Sequence, residues 1–262
     1  MDLHIQGKRA LVMASSQGLG LGIASELAKE GAKVMLCGRS SDKLQEQADK
    51  LHAATGAEVL TSCVDLSDWD SVQATIDQVK ASWQGLDILV NNSGGPRPGM
   101  ASEVEHEEWL SYFQTMIASL MEMTRQFIEP MKAQQWGRIL TVTSSGVEAP
   151  IANLGISNTL RSALVGWSKS LSNELAPFGI TSNVLIPGRI HTQRVDSLDA
   201  AAAQRQGLPI EKIREQACAQ IPVARYGKVE EFAAVAAFLL SEQASYVTGS
   251  KVRCDGGLIS GI

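Results

Sequence analysis

Cysteine is scarce in this 262-residue chain: Cys37, Cys63, Cys218 and Cys254 are scattered without a close pair. That spacing excludes a zinc knuckle and a dense disulfide framework, and it points to a reducing compartment. No apolar run is long enough to cross a bilayer. The opening MDLHIQGKRALVMASS has an acid at Asp2 and reaches a strand-like run at once, without the order of a secretory signal. The expected setting is therefore cytoplasmic, away from the membrane. A formal charge of −5 is mild and argues against broad nucleic-acid binding. Neither a tandem repeat nor a low-complexity linker divides the sequence, so residues 1–262 are expected to form one domain. What is present is 44% hydrophobic residues, enough for a substantial globular core.

Apolar runs and helical periodicity alternate along the chain. RALVMAS reads as a strand and IASELAKEG as a helix with Ile23, Leu27 and Ala28 on one face. AKVMLCGR, AEVLTSCVDL, LDILVNNSGG, GRILTVTSS, ITSNVLIPG and GSKVRCDGG read as six further strands. Helices are predicted from Ser41 or Asp42, over SVQATIDQVKASW, across about 107–131, across about 157–175, and over VEEFAAVAAFLL. The alternation predicts an α/β fold, a doubly wound seven-stranded parallel sheet with helices on both faces. The helical excursion at 194–220 is the candidate lid. Cys37 and Cys63 fall in or beside strands and read as small buried fillers.

Between the first strand and first helix, Gly18, Gly20 and Gly22 let backbone amides approach a pyrophosphate at the helix N-terminus. After the second strand the chain reads CGRS, with no acid to accept hydrogen bonds from the ribose hydroxyls of NAD. Arg39 instead offers a guanidinium suited to a 2′-phosphate, which favours NADP over NAD.

In order along the chain stand ASSQGLG, CVDLSD, VNNSGG, GRILTVTSS, PGRIHT and YVTGSKVRCDGG. With these the sequence resembles the short-chain dehydrogenase/reductase family over essentially its whole length, most of all its ketoacyl-carrier-protein-reductase-like members. The resemblance implies a Rossmann-like domain, a small carbonyl or acyl substrate, and a homodimer or homotetramer. It implies that the loop carrying Ala14, Ser16, Gly18, Leu19 and Gly20 holds the pyrophosphate and that Asp65 and Leu66 flank the adenine. Asn91, Ser93 and Gly94 would support the adenosine side and cleft floor, with Pro187, Gly188, Ile190 and Thr192 along the nicotinamide end. The family's opening glycine is Ala14 here. A methyl there requires a negative φ or a cofactor standing slightly away.

The chemical positions depart further. The family's serine falls on Ser144, but its tyrosine falls on Ser157, its lysine on Arg161 and its helical asparagine near Met116. Carbonyl reduction needs a proton at the developing alkoxide, and a serine hydroxyl is a much weaker acid than tyrosine, while arginine stays protonated. Ser157 and Arg161, four apart, still share one helical face. Ser144 can donate to a carbonyl, Arg161 can stabilise an oxyanion or bridge ribose hydroxyls, and water can supply the proton. His191, with a suitable ordinary pKa, is a further catalytic candidate. Tyr112, one turn before Met116, reads as core packing.

Arg97 and Arg189 sit on loops expected at the carboxyl end of the sheet, and with Arg161 they favour a substrate bearing carboxylate or phosphate. EHEEW places acids at a helix entry and makes no metal site. Two functions follow: an NADP-dependent oxidoreductase with an atypical proton route, or a catalytically inactive, nucleotide-responsive binding protein that retains the fold.

Overall fold

The computed structural model describes residues 1–261. Seven strands form one sheet in the order β3-β2-β1-β4-β5-β6-β7, every neighbouring pair parallel. They are β1 (Arg9–Val12), β2 (Lys33–Gly38), β3 (Val59–Cys63), β4 (Ile88–Asn91), β5 (Gly137–Val142), β6 (Ile180–Pro187) and β7 (Lys251–Cys254). The chain winds outward from β1 to β3 and then returns to β4 on the other side of β1. That reversal opens a crevice at the carboxyl ends of β1 and β4.

The helices are α1 (Gly18–Lys29), α2 (Ser41–Thr55), α3 (Trp69–Trp83), α4 (His106–Phe113), α5 (Ser119–Ala133), α6 (Gly155–Leu175), α7 (Gln193–Gln206), α8 (Ile210–Ala219) and α9 (Val229–Leu239). The apolar stripe of α1, Ile23, Ala24, Leu27 and Ala28, is buried in the layer that also holds Phe232, Ala236 and Ala237 of α9. The opposite layer gathers Val72, Ile76 and Val79 of α3 with Leu120, Met123 and Phe127 of α5 and Leu160 and Leu164 of α6. Capping follows local chemistry. Ser40 Oγ accepts from Lys43 N at 3.5 Å to open α2, and Gly56, at φ 71°, closes it.

Two helical expectations change. The single helix expected over about 107–131 is interrupted by a π-helical turn at Gln114–Ala118. Met116 and Ile117 of that turn are buried, and Ser119 just beyond it donates to Leu66 O at 2.7 Å. The excursion at 194–220 is two helices, because Gly207 adopts φ 63° and ends α7. Cys37 is buried, but Cys63, expected as a buried filler, is exposed: β3 lies at the sheet edge. Among the described residues no helix is long and apolar enough to cross a membrane.

Candidate active site

The turn between β1 and α1 is fixed from both neighbouring strands. Ser15 Oγ donates to Val12 O at 2.7 Å and accepts from Cys37 N at 2.9 Å, while Asn92 Nδ2 reaches the carbonyls of Met13 and Ala14 at 3.3 Å. Gly20 must be glycine, since a Cβ there would strike the Ala14 carbonyl. Ala14 has φ +48°, so the first of the two conditions, a negative φ, is not met. The methyl sits in the left-handed region at a cost of roughly 1 kcal/mol, and only the second condition, a cofactor standing slightly away, remains open. Helix α1 begins at Gly18 with neither a side-chain cap nor an acid in its first turn. Its leading amides therefore stay available to an anion.

Toward the second and third strands, Gly38 lies against Ser16, where an added Cβ would be 3.3 Å from Ser16 Oγ. Arg39 is exposed at the tip of β2. Asp65 is exposed and Leu66 buried. The hydroxyl and amide of Ser67 hold the Asp65 carboxyl below its usual range, and the charge of Arg39 adds to that. Beyond β4, Asn91 Nδ2 donates to Thr124 Oγ1 at 2.9 Å. Asn91 Oδ1, Ser93 Oγ and Thr143 Oγ1 are buried without a protein partner. Unsatisfied polar atoms along the carboxyl edge, with uncapped amides at α1, fit a polar, phosphate-bearing ligand lying across it.

At the other end of the crevice, Ser144 follows β5 and its Oγ accepts from Gly146 N at 3.1 Å, leaving its proton to donate. Ser157 and Arg161 occupy the buried face of α6. Arg161 donates from Nη1 to Val142 O at 3.0 Å and from Nη2 to Ser93 O at 3.3 Å, spanning the ends of β4 and β5. Burial, and secondarily the nearby charge of Arg194, push its guanidinium down to about 10. Met116 is buried in the π-helical turn and offers no proton relay. Tyr112 packs partly buried against the core, yet its hydroxyl leaves that packing and accepts from Arg97 N at 3.2 Å.

The segment after β6 runs along the crevice mouth. Gly188 N donates to Cys254 O at 3.0 Å, and a Cβ on Gly188 would crowd Asp255. Ile190 is buried. Thr192 caps α7 by accepting from Val195 N at 3.4 Å, and its side chain lies 3.8 Å from where a Cβ on Gly18 would sit. His191 is exposed, with Nε2 3.3 Å from Asp196 Oδ1. No recorded contact among the described residues joins it to Ser144, Ser157 or Arg161.

Two arginines expected to face an anionic substrate are neutralised by protein acids instead. Arg97 forms a two-pronged pair with Glu108, at 2.6 and 2.5 Å, and Arg189 Nη1 lies 2.5 Å from Asp199, which is fully buried. The arginine that does face the crevice without an acid is Arg194, which donates from Nη2 to Pro96 O at 2.7 Å. Its signal in sequence is a cation in the first turn of a helix, where the macrodipole disfavours positive charge.

Known proteins share this architecture from end to end. A family model described as enoyl-(acyl carrier protein) reductase matches residues 13–259. The 3-oxoacyl-[acyl-carrier-protein] reductase FabG of Escherichia coli (strain K12) is 33% identical over 258 residues, covering 98% of this chain and 99% of that protein. The NADPH-dependent reductase BacG of Bacillus subtilis (strain 168) is 31% identical over 256 residues, covering 97% and 99%. The structure of L-sorbose reductase from Gluconobacter frateurii complexed with NADPH and L-sorbose superposes with a TM-score of 0.95 at 32% identity, covering 100% of both chains.

Proposed function

The chain belongs to the short-chain dehydrogenase/reductase family, and on that premise we propose that it is an NADP-dependent oxidoreductase that reduces a small carbonyl or acyl compound. NADPH, when bound, supplies the hydride. The uncapped amides of Gly18, Leu19 and Gly20 would hold its pyrophosphate, and Arg39 its 2′-phosphate. The reading agrees with the NADPH named for the Bacillus and Gluconobacter relatives and with the carbonyl substrate in the name of the Escherichia coli one.

The observation that carries the chemistry is a buried cation held at the end of β5, two residues before a serine whose hydroxyl proton is not committed to a protein acceptor. Arg161 is tied to Val142, two residues before Ser144, and only backbone carbonyls accept from it among the described residues. Ser144 donates to the substrate oxygen, and the Arg161 guanidinium stabilises the negative charge that develops there. Ser157 lacks the acidity to finish the reaction, so solvent entering the crevice delivers the proton that completes the alcohol.

Single-turnover oxidation of NADPH against a panel of ketones, oxo acids and ketoacyl thioesters tests this reading. Ser144→Ala and Arg161→Met are expected to slow it by roughly 10²–10³, and Ser157→Ala far less. Tight NADPH binding with no oxidation by any carbonyl compound would instead favour the nucleotide-responsive binding protein.

Three finer readings accompany the activity. Helices α7 and α8 serve as the lid. A homodimer or homotetramer built on α5 and α6 follows from the family resemblance, and sedimentation would measure it; the groove between these helices mixes Ile128 and Leu175 with Arg125, Glu129, Lys132 and Glu174. Free thiols at Cys37, Cys63, Cys218 and Cys254 support a cytoplasmic setting.

A further inference from the structure

Arg161 and Arg194 converge on one loop. Arg161 donates to Ser93 O and Arg194 to Pro96 O, and the charge of Arg194 bears on Arg161. Between these anchors the loop has no side chains: a Cβ on Gly94 would meet nothing within 4 Å, and one on Gly95 would lie 3.1 Å from Arg194 Nε and Nη2. The Arg194 guanidinium therefore rests against bare backbone at the crevice mouth. Among the described residues its recorded acceptor is a carbonyl, as are both of Arg161's. The acid of the same helical turn, Asp196, is already engaged by Arg214 at 2.8 Å and His191 at 3.3 Å.

Two guanidinium groups converging on one loop, with no acid to answer either, call for an anion from outside. The cofactor's pyrophosphate is the weaker candidate for it. The Gly-rich turn meets this segment at Thr192, whereas Arg194 is drawn away from that turn to Pro96. A guanidinium presents parallel N–H groups that match a planar carboxylate. We propose that Arg194, backed by Arg161, binds a carboxylate of the substrate, so that the enzyme acts on oxo carboxylic acids in preference to neutral ketones. This rests on the reductase reading of the same crevice.

The test is calorimetry on protein loaded with NADP⁺, where no reduction takes place and binding is read without turnover. The probes are 2-oxopentanoate and 4-oxopentanoate, each against its methyl ester. At one of the two spacings the acid is expected to bind at least about tenfold more tightly than its ester. Arg194→Gln should collapse that ratio and Arg194→Lys restore part of it, while Arg205→Gln, on the exposed far end of α7, leaves it in place. Equal binding of acids and esters by the parent chain overturns the proposal, as does an acid preference that survives Arg194→Gln. A tenfold loss of NADP⁺ affinity in Arg194→Gln would assign the charge to the cofactor. Stronger displacement of the bound acid by inorganic phosphate than by acetate would assign it to a phosphorylated substrate. Should none of the oxo acids oxidise NADPH while the acid preference stands, the reductase reading fails and the anion site does not; reduction of the esters alone would mean the reverse.

Discussion

Two groups of arginines flank the crevice, and they differ in one respect: whether an acid answers them. Arg189 and Arg214 surround Asp199, a carboxylate with no exposed surface, at 2.5 and 3.7 Å, and the Tyr226 hydroxyl donates to it at 3.0 Å. Arg214 also holds Asp196 at 2.8 Å. This group ties α7 and α8 to the segment after β6 and is complete within the chain. Arg161 and Arg194 have only carbonyls as recorded acceptors, and their charge is not cancelled. The difference separates arginines that build the fold from arginines that await a ligand. Folding alone would not retain a buried cation without a partner.

The largest expected effect comes from Arg161. Holding its guanidinium protonated at neutral pH, against a value pushed down to about 10, costs the folded state up to about 3 kcal/mol. Arg161→Met is therefore expected to slow NADPH oxidation by roughly 10²–10³ and yet raise unfolding stability in urea by ~1–3 kcal/mol. If activity and stability fell together, Arg161 would belong with Arg189 as a structural residue.

Asp199→Ala should act with the opposite sign. It leaves Arg189 and Arg214 without their shared acid and removes the acceptor of Tyr226. A loss of ~2–4 kcal/mol in urea unfolding is expected, together with faster amide exchange along α7. A loss under ~1 kcal/mol would mean that solvent already screens the group, and the contrast between the two sets of arginines would narrow.

The strands were legible because their apolar runs are short and bounded by glycine, asparagine or proline, and the order of turns imposed one parallel sheet. What escaped the sequence depends on neighbours that are distant along the chain. The π-helical turn at Gln114–Ala118 is invisible because the helical pattern continues on both sides of it. The exposure of Cys63 depends on β3 being an edge strand, which its own residues do not state. Arg97 and Arg189 looked free because their acids, Glu108 and Asp199, stand 11 and 10 residues away, beyond the reach of helical spacing rules. Ser144, Ser157 and Arg161 come from the family resemblance; the structure sets Ser144 just past β5 and the other two on the buried face of α6. Arg194 stands at the start of the expected 194–220 excursion, but its lack of an acid shows only in three dimensions, where Asp196 is engaged by Arg214 and His191.

Arg39 extends the comparison to the surface. It is exposed, and Asp65 is near enough to feel its charge without pairing with it. As the 2′-phosphate contact, Arg39→Ala should reduce the preference for NADPH over NADH by roughly 10–100-fold. The ratio of the two dissociation constants, from nucleotide fluorescence, measures this. An unchanged ratio would remove Arg39 from the cofactor site and leave the charge at Arg161 and Arg194 untouched.

The smallest effect is expected at Arg97, and there a near-zero result carries the information. Its loop position made it a candidate for anion recognition, but Glu108 grips it through two hydrogen bonds, and that pair lies at the surface. Surface pairs contribute little to stability. Arg97→Gln should therefore keep its thermal midpoint within ~2 °C of the parent chain and retain the parent's ratio of oxo-acid to methyl-ester binding. A collapse of that ratio would show that Glu108 releases Arg97 when substrate arrives. Pairing in the free protein would then no longer distinguish a structural arginine from a recognition residue.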